Sequence, residues 1–484
     1  MTLGWQTFRQ TVAARGAHPA LLLGDSVTTF AALGRMAEQM TAGLTSKGVL
    51  RGDRVILHLG NGLAAAVLPA ALWAIGAVPV LAPSDLRIDA LHDIAVRVAA
   101  RGVVSDTLES CGPASVWRAD GLQGTFRAGE GNSDGIGSVV FTSGSTGRPK
   151  GVMQRHSTLI DGAARVARAV GFGTDDRLLC AVPWSHDYGW TQLLALYVLG
   201  LTLIVPERPG MVGLPEAIEM HRVTVLGGVP SVYAGLTKGI SDIAVRDRSS
   251  VRLAMSTGSA MPQQVWDDLA DLFPRARRVL NYGLTETFRS ATMKEGDEGC
   301  GPQIVGSALP GSGLAIVDEA GAVLPAGVWG EIVHRGAGVF EGYWDDPGLT
   351  ALRRRVDPVT GQGFAVFTGD RGILDENGRL TVGDRIDRMV KVMGLSASPL
   401  AIEQVLRAVP GVSAAAVVFR KHDFLGVELH AVLVGEGVQK SAEAACRVAL
   451  PPHERPRRFH IRREMPLTAS GKIDLVALTR SVAG

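Results

Sequence analysis

The sequence predicts an α/β protein. Residues 1–386 read as a large N-terminal body of mainly parallel βαβ sheets, with a β-rich subdomain over about 300–386, and residues 387–484 as a small α+β C-terminal domain. Three observations carry this. From about residue 50 to 260, short β-branched or apolar runs ("RVILHL", "VPVLAP", "SVVFTS", "LTLIVP", "VTVLGGVP") alternate with longer Ala/Leu-rich segments, the texture of strand–helix–strand units. Between about 300 and 386 the texture turns Gly-rich and strand-like, as in "RGILDENGRLTVGDR", whose "ENG" reads as a hairpin turn. Past 387, "PLAIEQVLRAV" and "SAEAACRVAL" read as helices and "SAAAVVFR" and "ELHAVLVG" as strands, about a hundred residues in all.

A chain of 484 residues exceeds one ordinary core, so several domains or subdomains are expected. Its 49 basic and 47 acidic residues leave a net charge of +2, no global field to draw in nucleic acid or an anionic membrane. Any anion must be held locally. Cys111, Cys180, Cys300 and Cys446 stand far apart without a C-x-x-C pair, which argues against a zinc site or disulfide framework and for a reducing compartment. The start of the sequence has no apolar signal core, so the expected location is cytoplasmic. Residues 62–83 carry no charge, yet Pro69 and Pro79 interrupt them, and a buried helix followed by a buried strand is expected.

The stretch with chemical content is "VVFTSGSTGRPKGV", residues 139–152. Glycines expose backbone N–H groups to an anion, and hydroxyls and an ammonium add donors and charge. The spacing is not that of a Walker loop, in which Gly-Lys-Ser/Thr follows a first Gly by four residues. Pro149 moreover biases Arg148 to extended backbone, so the loop does not run straight into a helix.

Further stretches follow in order: "PWSHDYG" (183–189), "STGSAMP" (256–262), "NYGLTET" (281–287), "GEIVHRGAGVFEGYWDDP" (330–347), "FTGDRG" (367–372), "GDRIDRMVKVMG" (383–394) and "PLTASGKID" (466–474). Together with the loop they resemble, in register over nearly the whole chain, the AMP-forming adenylating ligases: acyl-CoA synthetases, stand-alone adenylation domains and luciferases. The resemblance is strongest to a bacterial acyl-CoA synthetase. It implies that a carboxylic acid reacts with MgATP to give an acyl-adenylate and pyrophosphate, and that the C-terminal domain then rotates about a hinge so that a thiol, foremost CoA, takes the acyl group.

The resemblance also assigns roles. Thr142, Ser143, Gly144, Ser145, Thr146, Gly147 and Lys150 would hold the phosphates of ATP, and Gly258, Ser259, Ala260 and Gly283 would belong to the ATP- and AMP-binding site. Tyr282 would stack on adenine or close the acyl pocket. Glu286, beside Thr285 and with Thr142, supplies the hard oxygen ligands that Mg²⁺ prefers. Asp370 offers two oxygens to the ribose hydroxyls and Arg385 holds ribose or phosphate. Lys472 would bridge the attacking carboxylate and the α-phosphate, stabilising the transition state electrostatically. Asp387 and Lys391 mark the hinge, and Gly394 would let the thiol arm pass close to the backbone.

The acyl pocket is expected around His186, Asp187, Trp190 and Gly258. His186 either lines the acyl or thiol passage or makes a structural hydrogen bond. A buried Asp187 needs a donor, which a substrate ammonium or hydroxyl, Arg289 or a backbone amide could each supply. Around the hinge the sequence reads Met393-Gly394-Leu395-Ser396, without the cations this family often carries there. The basic run Arg455, Arg457, Arg458, Arg462 and Arg463 would meet CoA phosphates or an acidic carrier protein, or else form a solvated strand edge. Three acceptors stay open: CoA, an acyl or peptidyl carrier protein, and a nitrogen nucleophile. The partners expected are a small-molecule acid and a thiol, with no nucleic acid or membrane, on a monomer or homodimer.

Overall fold

The computed structural model describes residues 2–126, 134–142, 149–208, 210–237, 241–392, 395–422, 426–468 and 473–482; at 387, 391, 395, 396, 421, 422 and 426 it describes the backbone alone. The chain divides into two units. The first comprises Met1–Met261, Val265–Leu314 and Val333–Phe367, and the second Pro262–Gln264, Ala315–Ile332 and Thr368–Gly484.

Two sheets organise the first unit. In one, the strands Val78–Ala82, Arg54–His58, Gly102–Ser105 and Ser115–Trp117 run parallel to Ile136–Thr142, which pairs antiparallel with Lys150–Arg155, and this in turn with Gly342–Tyr343. In the other, Pro19–Leu23, Thr202–Val205, Arg177–Cys180, Val225–Gly228, Leu253–Ser256 and Arg277–Tyr282 are neighbours in parallel. Parallel strands buried on both faces explain why their sequences read as continuous apolar runs. The uncharged stretch 62–83 forms the helix Leu63–Ile75, which contains Pro69, and the strand Val78–Ala82, with the strand and most of the helix buried. Among the described residues no helix is long and apolar enough to cross a membrane.

The helices pack through aromatic rings. Trp73 lies edge-on to Trp190 and Tyr197, at centroid distances of 5.9 and 5.7 Å, and its indole N–H donates to the Gly137 carbonyl at 2.7 Å. This buried group fixes helix Leu63–Ile75 and helix Asp187–Leu199, and hence the start of the latter, against the sheet that bears Thr142 and Lys150. Cys180 ends a strand in the same core, its thiol donating to the Val182 carbonyl at 3.3 Å.

In the second unit, strand Phe364–Leu374, from Thr368 onward, pairs antiparallel with Arg379–Arg385 across the "ENG" turn. Further on, Ala414–His422 pairs antiparallel with Gly426–Val434, which runs parallel to Arg458–Arg462. Helices Pro399–Arg407 and Gln439–Ala449 close this sheet over a core of its own that includes Val390, Ile402, Leu406, Leu433 and Cys446. The α/β class expected from the alternating runs is the class observed.

Candidate active site

The strands on either side of the glycine-rich loop are neighbours, with Thr142 and Lys150 opposite one another in the ladder. Ser143, Gly144, Ser145, Thr146 and Gly147, which connect them, lie outside the described residues. The far end of the connection is anchored, since the Pro149 carbonyl accepts from Arg97 Nη1 at 2.7 Å while that guanidinium lies over Phe141. Beside it is a hollow of about 320 Å³, lined among others by Arg97, Lys150, Tyr343, Trp344 and Asp346.

Glu286 is carried to this edge by a short chain of contacts. Thr285–Thr287 forms one tight turn after strand Arg277–Tyr282, and Gln154 Nε2, on the Lys150 strand, donates to the Thr285 carbonyl at 2.8 Å. Tyr343, paired with Val152 of the same strand, donates its hydroxyl to Glu286 Oε1 at 2.5 Å, and the Phe340 N–H donates to the Glu286 carbonyl at 3.0 Å. The next residue, Phe288, is fully buried at φ +58°, a region that costs a non-glycine side chain energy and persists only where neighbours enforce it. Tyr343 and Gln154 were not singled out in the sequence. The "GYW" signal for Tyr343 was present, but its target, 57 positions away, was not.

His186 caps the helix Asp187–Leu199 with extended backbone, and Trp190 N donates to its carbonyl at 2.7 Å. Asp187, in the first helical turn, points its carboxyl inward, where Oδ1 has no hydrogen-bond partner. Burial pushes its pKa up to about 7; Arg289 opposes the rise, the charge of Glu286 adds to it, and a hydrogen bond with Gln154 opposes it. Arg289 is not in ion-pair contact with Asp187. It donates through Nη1 to Thr257 Oγ1 at 3.2 Å and lies over the Tyr188 ring, 5.1 Å from the centroid. Trp190 is fully buried against Trp73 in the core.

Gly258 follows strand Leu253–Ser256 at φ +91°, and Gly258, Ser259 and Ala260 are exposed. The preceding Thr257 hydroxyl donates to the Asn281 carbonyl at 2.9 Å, tying this bend to the strand that leads into buried Tyr282 and half-buried Gly283.

In the second unit Asp370 and Arg385 face each other across the hairpin, with Arg385 Nη1 donating to Asp370 Oδ1 at 3.2 Å. Asp370 is buried beside Gly369, whose N–H donates to Glu331 Oε1 at 2.8 Å. Asp384 accepts from Ser398 Oγ at 2.8 Å and from the Leu400 N–H at 2.5 Å, and its burial raises the carboxyl pKa. Buried Glu403 binds Arg388 at 2.6 Å and Arg407 at 3.0 Å. Asp387 lies in the turn Ile386–Arg388 and Lys391 opposite Ser396 in a short hairpin, both described by backbone alone. Gly394, Met393 and Lys472 lie outside the described residues. Of the basic run, Arg455 donates to the Leu450 carbonyl, Arg458 lies 3.5 Å from Glu428 and Arg462 donates to Ser481, while Arg457 and Arg463 are exposed.

Comparison with known proteins matches this architecture. The family model described as AMP-binding enzyme covers residues 8–344, and the AMP-binding enzyme C-terminal domain covers 401–472. The chain belongs to the AMP-binding enzyme family. It is 28% identical to 4-coumarate–CoA ligase 2 of Oryza sativa subsp. japonica over 92% of this chain and 86% of that protein. It is 32% identical to a linear gramicidin synthase protein of Brevibacillus parabrevis over 70% of this chain, a match that spans only 4% of that much longer protein. ATP-bound MatB from Rhodopseudomonas palustris superposes with a TM-score of 0.88 at 25% identity, over 99% of this chain and 98% of that one. O-succinylbenzoate coenzyme A synthetase (MenE) from Bacillus subtilis, in complex with AMP, shares the fold with a TM-score of 0.86 at 23% identity, over 98% and 97%.

Proposed function

We propose that this enzyme activates a carboxylic acid with MgATP and passes the acyl group to the thiol of CoA. The observation that carries this reading is the contact of Glu286 with Tyr343, which brings a carboxylate to the strand edge where Thr142 and Lys150 stand opposite each other. A cation and hydroxyl for phosphates thereby share one edge with an acid for a metal. The relatives named as CoA ligases support the choice of thiol.

In the first step a carboxylate oxygen attacks the α-phosphorus of ATP, the bond from that phosphorus to the bridging oxygen of the β-phosphate breaks, and pyrophosphate leaves. Thr142, Ser143, Gly144, Ser145, Thr146, Gly147 and Lys150 hold the departing phosphates. Tyr282, Gly283 and the Gly258–Ser259–Ala260 bend hold the adenosine end, Asp370 and Arg385 the ribose, and Lys472 steadies the charge that builds on the α-phosphate. Glu286 has one carboxylate oxygen fixed by Tyr343, so its second oxygen is oriented for a hard cation, and the Thr142 hydroxyl is of the same chemical kind. Mg²⁺ takes oxygen ligands and completes its shell with water and substrate phosphate, so few protein oxygens would be needed. When bound there it would neutralise phosphate charge.

In the second step the CoA thiolate attacks the acyl carbon and AMP leaves. Rotation of residues 387–484 about Asp387, with Lys391 and Gly394 at the thiol passage and His186 beside it, would admit the pantetheine arm. The protein would act in the cytoplasm.

Pyrophosphate release, followed across a panel of acids with MgATP and again with CoA added, tests the proposal. Multiple turnovers with an acyl-CoA product support it. Release that stops near one equivalent and ignores CoA would assign the acceptor to a carrier thiol or a nitrogen nucleophile.

A further inference from the structure

Leu59-Gly60-Asn61-Gly62 connects strand Arg54–His58 to helix Leu63–Ile75. Asn61 uses both ends of its carboxamide on one short segment. Nδ2 donates to the Val182 carbonyl at 2.9 Å, and Oδ1 accepts from the Trp184 N–H at 2.7 Å. Pro183, between them, has no N–H to give a strand ladder, and here one side-chain amide stands in for a neighbouring strand. Val182 and Trp184 are buried, so their backbone groups need such a partner.

The clamp joins the two sheets of the first unit. Arg54–His58 belongs to the sheet that bears Thr142 and Lys150, while Val182–Trp184 follows Arg177–Cys180 of the other. The corner it holds runs directly into Ser185, His186 and Asp187. The Pro183 carbonyl accepts from the His186 N–H at 3.1 Å, and a Cβ on Gly189 would stand 2.2 Å from that carbonyl oxygen, so only glycine lets the helix start so close beneath the corner. On the far side, the Tyr188 hydroxyl donates to the Met255 carbonyl at 3.2 Å and its ring lies under Arg289, which donates to Thr257. The corner thus stands between Asn61 and the bend that leads to Gly258, and the charge of Glu286 acts on its Asp187.

Resting on the acid activation proposed above, with the acid seated at His186 and Asp187, we infer that Asn61 is a positioning residue for the acid. By tying Val182–Trp184 to the phosphate-bearing sheet, its amide sets the acid's seat relative to the phosphates at Thr142 and Lys150. Asn61 acts through the corner and touches no reacting atom. A misplacement of about 1 Å between reacting groups costs on the order of 100-fold in rate.

The test measures pyrophosphate release by the parent, Asn61→Ala and Asn61→Asp, using whichever of acetate, butanoate, hexanoate, benzoate, succinate and 4-coumarate the parent uses best. In Asn61→Ala the KM for the acid should rise about tenfold or more, with the KM for ATP within about threefold. Neither constant depends on how much protein folds. Asn61→Asp adds a chemical signature, because a protonated carboxyl donates to the Val182 carbonyl and accepts from the Trp184 N–H as the amide does, whereas the carboxylate has no proton to donate. The carbonyl it faces favours the protonated form and raises its pKa. Relative to the parent, the kcat/KM of Asn61→Asp for the acid should therefore recover about tenfold as the pH falls from about 8 to about 5.5, while that of Asn61→Ala stays level. Equal changes in the two KM values, no change in either, or a level ratio for Asn61→Asp overturns this inference and leaves acid activation standing. No release by the parent with any of the acids overturns acid activation itself, and this inference with it.

Discussion

Gly162 sits against Phe288 so closely that a Cβ on Gly162 would come within 2.6 Å of the ring carbon Cδ1. Phe288 follows the Thr285–Thr287 turn directly, at φ +58°, so the glycine holds open the space in which a strained residue keeps Glu286 in place.

Gly162→Ala is therefore expected to destabilise. In a helix interior alanine is favoured over glycine by about 1 kcal/mol, whereas overpacking a tight core costs about 1–3 kcal/mol, so the clash outweighs the propensity gain. Urea midpoints should fall, and pyrophosphate release should fall more than the folded fraction does, because the turn moves with Phe288. A variant as stable and as active as the parent would refute this account of the turn.

Tyr343→Phe removes the 2.5 Å hydrogen bond that orients Glu286 while keeping the ring. Partners of a metal-binding carboxylate typically matter about 10- to 100-fold in metal affinity or activity. The Mg²⁺ concentration giving half-maximal pyrophosphate release should rise by that order, with the melting temperature nearly unchanged. An unaltered Mg²⁺ titration would separate Glu286 from the metal.

Asp187 gives stability a pH dependence of definite sign. Its carboxyl has a pKa of about 3.9 when unfolded and is raised to about 7 in the fold, chiefly by burial. Between those values the native state keeps a proton that the unfolded chain has released. The contribution is therefore fully present below about pH 4 and is lost as the pH rises through 7. At about 1.4 kcal/mol per pKa unit the difference amounts to at most about 4 kcal/mol. Comparing unfolding free energies of the parent and Asp187→Asn from pH 4 to 8 should show the parent losing ground steadily. Parallel curves would mean that Asp187 is ionised in the fold.

Lys472→Ala should reduce adenylation by roughly 100- to 1,000-fold, the scale for loss of one charge-stabilising group. ATP binding, measured by calorimetry, should stay within a few fold. Unchanged turnover would remove Lys472 from the chemistry.

The sequence was most legible where a local pattern fixes a local structure. "ENG" set the hairpin that puts Asp370 opposite Arg385, and Pro69 and Pro79 broke an uncharged stretch into a buried helix and strand. It was least legible where meaning depends on approach through space. Arg289 stood open as a partner for Asp187, but the fold turns it to Thr257 and Tyr188 and leaves Asp187 Oδ1 without a partner. Trp190 has the bulk of a pocket residue, yet its contact with Trp73 is a packing contact that side-chain size alone could not foretell.

The cysteines have a consequence for an enzyme that would handle an activated acyl group. Acyl-adenylates are electrophiles, and a thiolate close to one is a site of self-acylation. Cys180, Cys111 and Cys446 are buried, and burial pushes their thiols up, Cys180 to about 12 and Cys446 to about 11. A thiol held protonated is a poor nucleophile. Cys180 is the one for which this matters most, since its thiol donates to the Val182 carbonyl, at the corner that Asn61 holds. The fold thereby keeps these three sulfurs inert towards an electrophile of that kind.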